Sequence, residues 1–135
     1  MKRTLATFAL ITAMFTSAHA DAVVDDLQVR RSGDNVNIRV GVRNPAGTRQ
    51  KGPIVVDLYV RQGESDSWTK IKTWSNVNAL AARHRIARDY FDANSALLKD
   101  LAGKGRFQAR AVVTAPGQKD AAEKTSWYDS TSGDY

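Results

Sequence analysis

Apolar residues return at every second position along this chain, in several separate runs. Val36, Ile38, Val40 and Val42 alternate with Asn37, Arg39, Gly41 and Arg43. Ile54, Val56, Leu58 and Val60 repeat the pattern against Val55, Asp57, Tyr59 and Arg61. Successive side chains of an extended strand point to opposite faces, so this period builds a ribbon that is apolar on one side only. A helix would need apolar spacing near 3.6 residues, which these runs lack. Each ribbon has to bury its apolar side against another layer.

Other segments extend the series. Leu27 and Val29 mark an earlier strand, joined to the next by the turn sequence Ser32-Gly33-Asp34-Asn35. Asn44-Pro45-Ala46-Gly47 and Lys51-Gly52-Pro53 bound a longer loop. Residues 68–74 alternate again, placing Thr69, Ile71 and Thr73 on one face and Trp68, Lys70, Lys72 and Trp74 on the other. Phe107, Ala109, Ala111 and Val113 form an inward row opposed by Arg106, Gln108, Arg110 and Val112, and Pro116-Gly117 ends it. A last strand is expected over residues 123–128.

Between Asn78 and Gly105 the pattern admits two readings. Residues 85–91 form either a strand with Ile86, Arg88 and Tyr90 on one face, or part of a helix over 80–91. The strand is preferred because it supplies a sheet partner for the other six. Asn94 or Ser95 is placed to cap a short helix that stops at Gly103. The sum is about seven short strands without strand–helix alternation. That predicts an all-β antiparallel sandwich with one short helix before the penultimate strand.

The first twenty residues do not belong to that pattern. Lys2 and Arg3 precede a mostly apolar stretch, and Ala18-His19-Ala20 puts small residues at −3 and −1 of a cleavage point before Asp21. This order is that of a secretory signal peptide. The expected organisation is a cleaved leader over 1–20, a sandwich over 21–129 and a polar tail over 130–135. The full chain carries a formal net charge of +6, and the 115 residues after cleavage retain 18 basic and 14 acidic side chains. A basic surplus suits anionic partners. Cysteine is absent, which excludes disulfides and a lipid-anchored N-terminal cysteine. No later run approaches the roughly 20 apolar residues of a membrane helix. The expected location is periplasmic or secreted, with no membrane insertion.

The segments DLQVRRSGDNVNIRVGVRNPAG and VDLYVRQG, a tryptophan-bearing strand, then DYFDANSALLKDL and GRFQARAVVTAPG together resemble a bacterial exported immunoglobulin-like β-sandwich module. The chain is similar in this respect to fibronectin type III domains and to the cell-adhesion-related domain found in bacteria. The likeness lies in Asn44-Pro45-Ala46-Gly47, which loosely matches an Asn-x-Gly turn, and in the apolar-x-Leu-Tyr-Val run that ends at Val60. It implies an immunoglobulin-like fold and an adhesive or partner-binding role. The paired cysteines of antibody domains and an Arg-Gly-Asp motif are both missing.

Equipment for catalysis is sparse. His84 is the one histidine outside the leader, and no G-x-S-x-G elbow accompanies it. Paired carboxylates (Asp25 with Asp26, Glu64 with Asp66, Asp89 with Asp92) lack the cleft that glycoside hydrolysis needs. Neither a calcium-loop spacing nor a zinc ligand set is present, so no metal and no cofactor are expected. A small envelope hydrolase is the least favoured class.

One constellation suits binding. If the apolar rows point inward, one sheet displays Tyr59, Arg61, Trp68, Lys70, Lys72, Trp74, Arg106 and Arg110 on its outer face. Rings supply flat apolar contact and cations supply charge-assisted hydrogen bonds. The expected partner is a protein of the envelope or extracellular space, or an anionic glycan or polymer. The compartment disfavours nucleic acid. Arg39 and Arg43 are expected on the other sheet, apart from this face.

Overall fold

The computed structural model describes residues 22–33 and 35–130, and there the period-two runs become seven strands. The leader, Asp21 and residues 131–135 of the tail lie outside the described residues. One sheet has the order β1-β2-β5, from β1 (Val23–Ser32), β2 (Asn35–Arg43) and β5 (Arg85–Phe91). The second has the order β4-β3-β6-β7, from β3 (Gln50–Arg61), β4 (Thr69–Leu80), β6 (Arg106–Thr114) and β7 (Ala122–Asp129). Every pairing is antiparallel.

The alternation decides what the two sheets bury between them. Leu27, Val29, Ile38, Val40 and Val42 from the first sheet meet Ile54, Val56, Leu58, Val60, Phe107, Ala109, Ala111 and Val113 from the second, all buried. Tyr128 of β7 also points inward, its ring 5.1 Å from that of Phe107. At the β1–β2 turn Gly33 adopts φ +63°, a left-handed conformation that glycine reaches without a Cβ clash.

Residues 85–91 are a strand, as preferred over the helical alternative. β5 pairs with β2, placing Tyr90 opposite Ile38 and Ile86 opposite Val42. A 3-10 turn (Asp92–Asn94) and α1 (Ala96–Gly103) then carry the chain to the other sheet. The Ser95 hydroxyl oxygen accepts from the Leu98 N–H at 3.1 Å, while Leu98 and Leu101 are buried. Ser95 is thus the cap.

Two positions explain how the ends and faces are tied. Asn44, fully buried, donates to the carbonyls of Thr48, Leu80 and Ala81 at 2.8, 3.0 and 3.2 Å. Its own Oδ1 accepts from the Ala46 N–H at 3.0 Å. One side chain therefore joins the β2–β3 loop to the end of β4. On the outer face of the first sheet, Arg85 of β5 reaches across β2 to Asp25 of β1, with Nε 2.9 Å from Oδ2. It crosses over Gly41, where a Cβ would run into the Arg85 guanidinium and the Asp25 carboxylate. Glycine is required there by the crossing.

A basic and aromatic sheet face

β3 and β6 lie side by side in the middle of the four-stranded sheet, with Tyr59 opposite Arg110 and Arg61 opposite Gln108. On the flanks, Lys70 of β4 faces Tyr59, and Trp127 of β7 faces Gln108. Residues opposed in this way share a face. Their neighbours in sequence, Leu58, Val60, Ala109 and Ala111, are buried, so this face looks outward.

Its arginines rest on its rings. The Arg61 guanidinium carbon lies 4.1 Å from the Trp68 ring centroid, and that of Arg106 lies 4.0 Å from the Trp127 centroid. Arg110 sits 5.8 Å from Tyr59 and 5.7 Å from Trp68. A guanidinium over an aromatic face is attracted by the ring quadrupole and keeps its N–H edge free for an anion. Arg61 is held further by its Nε bond to Gln108 Oε1 at 2.8 Å and by the Asp66 carbonyl at 3.4 Å, both neutral acceptors. The β3–β4 loop is closed by Asp66, whose carboxylate accepts from the Gly63 N–H at 2.9 Å. That closure brings Trp68 back beside Arg61.

Carboxylates balance part of the face. Glu123 Oε1 is 2.6 Å from Arg110 Nε, a charge contact lying off the hydrogen-bond axis. Asp57 Oδ1 accepts from the Thr73 hydroxyl at 2.6 Å and lies 3.8 Å from Lys70 Nζ.

Six of the eight expected residues come together here: Tyr59, Arg61, Trp68, Lys70, Arg106 and Arg110. Lys72 and Trp74 do not. The register slips between Leu58 and Tyr59, so Lys72 stands opposite Leu58 and Trp74 opposite Val56, both core residues. One extra residue in β4 inverts the alternation beyond it. Lys72 remains exposed at the sheet edge. Trp74 instead leans on the core, its ring edge-on to Tyr90 of the other sheet at 6.4 Å. The single-face reading of residues 68–74 is corrected accordingly, and Ile71 packs partly against the core. Arg39 and Arg43 lie on the other sheet, as expected, with Arg39 paired to Asp89 at 3.3 Å.

Trp127 was missed. The signal was available: with Tyr128 facing inward, the alternate positions Glu123, Thr125 and Trp127 must face outward beside β6.

His84 lies on the exposed β4–β5 turn, its Nδ1 3.0 Å from the Ala82 carbonyl oxygen. Among the described residues no group of three or more His, Cys, Asp or Glu side chains is arranged to hold a metal. No helix among them is long and apolar enough to cross a membrane.

The fold and this face define a class: a seven-stranded, two-sheet antiparallel sandwich with a basic, aromatic outer face on its larger sheet. Among solved structures the chain is similar to the Escherichia coli curli protein CsgC, at 14% identity and a TM-score of 0.45, over 77% of this chain and 96% of that one. It is also similar to an Arabidopsis thaliana protein solved in solution, at 16% identity and a TM-score of 0.40, covering 79% and 78% of the two chains. No family model and no curated protein matches it.

Proposed function

We propose that this chain is an exported, non-catalytic binding module of the cell envelope or extracellular space, holding an acidic protein partner on the outer face of the four-stranded sheet. The observation that carries this reading is the pair of guanidinium–indole stacks, Arg61 on Trp68 and Arg106 on Trp127. A stacked guanidinium has lost much of its rotamer freedom before a partner arrives, so less is lost on binding. Tryptophan and arginine are also the residue types that dominate interface energetics. The same stacks disfavour a neutral glycan at this face, because one side of each indole is covered. Export rests on the leader sequence.

The test is affinity capture from envelope fractions, with and without protease treatment of the fraction. The expected result is a protease-sensitive acidic partner, lost about tenfold or more in the Arg61→Ala, Arg106→Ala double variant, whose circular dichroism stays native. Capture that survives protease would indicate an anionic polymer instead. Equal capture by the double variant would remove this face from the function.

A further inference from the structure

A second site stands at the other end of the sandwich from Asn44, over the outer face of the three-stranded sheet. There a cavity of about 530 Å³ is lined by Arg30, Arg31, Asn35, Asn37, Phe91, Asp92 and Ala93. That size falls among small-ligand sites, which span roughly 300–1,000 Å³. Its floor is one register row crossing three strands: Arg30 opposite Asn37, and Asn37 opposite Phe91.

Two features beside this row suit a ligand. The Phe91 ring is 49% exposed, one of two large hydrophobic side chains so displayed among the described residues. Asp92 is only 3% exposed, yet its Oδ1 meets no donor, and Asn37 Oδ1 is likewise buried without one. Unmet buried acceptors are destabilising, and a donor supplied from the cavity would relieve them. Both residues line the cavity, and Asn37 is oriented by its Nδ2 donating to Asp89 Oδ1 at 3.3 Å.

A ligand that met both acceptors would donate hydrogen bonds. It is not a cation, since Arg30 and Arg31 line the same cavity. A simple anion would satisfy the arginines but leave both acceptors and the phenyl ring unused. We propose that this cavity binds a sugar ring bearing a carboxylate, a uronic acid. Its hydroxyls donate to Asn37 and Asp92, its apolar face lies on Phe91, and its carboxylate meets Arg30. The site is separate from the face assigned to a protein partner, and either can fail without the other.

The test is a titration of the ¹⁵N-labelled protein with methyl glucuronide, followed by amide chemical shifts, with methyl glucoside and sodium acetate in parallel. Saturable shifts are expected at residues 30, 37, 91 and 92, with a Kd on the order of 1–10 mM, a weak single-ring affinity. Methyl glucoside should move the same amides with at least about fivefold weaker affinity, and acetate should not saturate them. Phe91→Ala and Arg30→Gln, both at exposed side chains, should each weaken glucuronide about fivefold with unchanged circular dichroism. Absence of saturable shifts, shifts confined to the Arg61–Trp68 face, or the same shifts with acetate would overturn the proposal. So would equal affinity for the two glycosides, which removes Arg30 from the site.

Discussion

Asn44→Ala should be the most damaging single truncation of a polar side chain in this fold. The two N–H groups of the Asn44 amide are shared among three carbonyl oxygens, its Oδ1 accepts one hydrogen bond, and the residue itself is 0% exposed. The bond to the Leu80 carbonyl is fully buried, so its loss leaves an acceptor that water cannot reach, costing about 1–3 kcal/mol. The partners at Thr48, Ala81 and Ala46 are partly buried, and partial rehydration limits each of those losses to about 0.5–1 kcal/mol. Together these give about 2.5–6 kcal/mol, a large share of the 5–15 kcal/mol typical of a domain. Urea unfolding measures it directly: the midpoint should fall by about 2–4 M if m is near 1.5 kcal/mol/M, with m itself unchanged. Asn44→Asp is the sharper control. It keeps the shape but turns three donations into contacts between a carboxylate and carbonyl oxygens, so it should be no more stable than the alanine variant. A loss below about 1 kcal/mol for alanine, or a wild-type midpoint for aspartate, would refute this reasoning.

Two further outcomes follow from the register. Trp74→Ala should cost about 2–3 kcal/mol in denaturant unfolding, because the ring packs on the core and against Tyr90, whereas Trp68→Ala should cost about 1 kcal/mol or less and act on partner binding. Equal costs would contradict the inversion of β4. Gly41→Val should displace Arg85 from Asp25 and lower stability by about 1–3 kcal/mol, and Gly41→Val combined with Arg85→Ala should recover part of that loss in the same assay.

How much of this was legible depends on what decides each feature. The two sheets were legible because Val36, Ile38, Val40 and Val42, and their counterparts in β3 and β6, alternate without interruption. A cap at Asn94 or Ser95 and the Arg85–Phe91 strand followed from local composition and from the need for a partner, and the structure selects Ser95. The inversion within β4 did not. It arises from one extra residue opposite the Leu58–Tyr59 step, and no residue type in Thr69-Lys70-Ile71-Lys72 requires it. The last half of β4 was hidden for a related reason. Ser75, Asn76 and Asn78 lie on an edge strand where few positions need to be apolar, and only Val77 and Leu80 there are buried hydrophobic residues. The unmet acceptors of Asn37 and Asp92 depend on side-chain surroundings that sequence spacing does not express.

Arg110 of the larger sheet is paired with Glu123, as Arg39 and Arg85 of the smaller sheet are with aspartates, but Arg61 is held differently. On the smaller sheet Arg39 and Arg85 are engaged by Asp89, Asp25 and Asp26. An incoming anion there has to compete with carboxylates already in place, so those cations serve the sheet. Near the β1–β2 turn, where Arg30 and Phe91 flank Asn37, that face carries the cavity described above. On the larger sheet Arg61 is oriented by an indole ring and two neutral oxygens. An acidic partner meeting Arg61 displaces no carboxylate and gains the full charge-assisted bond. At Arg61 a ring as support, in place of a carboxylate as partner, leaves a guanidinium that an anion can meet without displacing another.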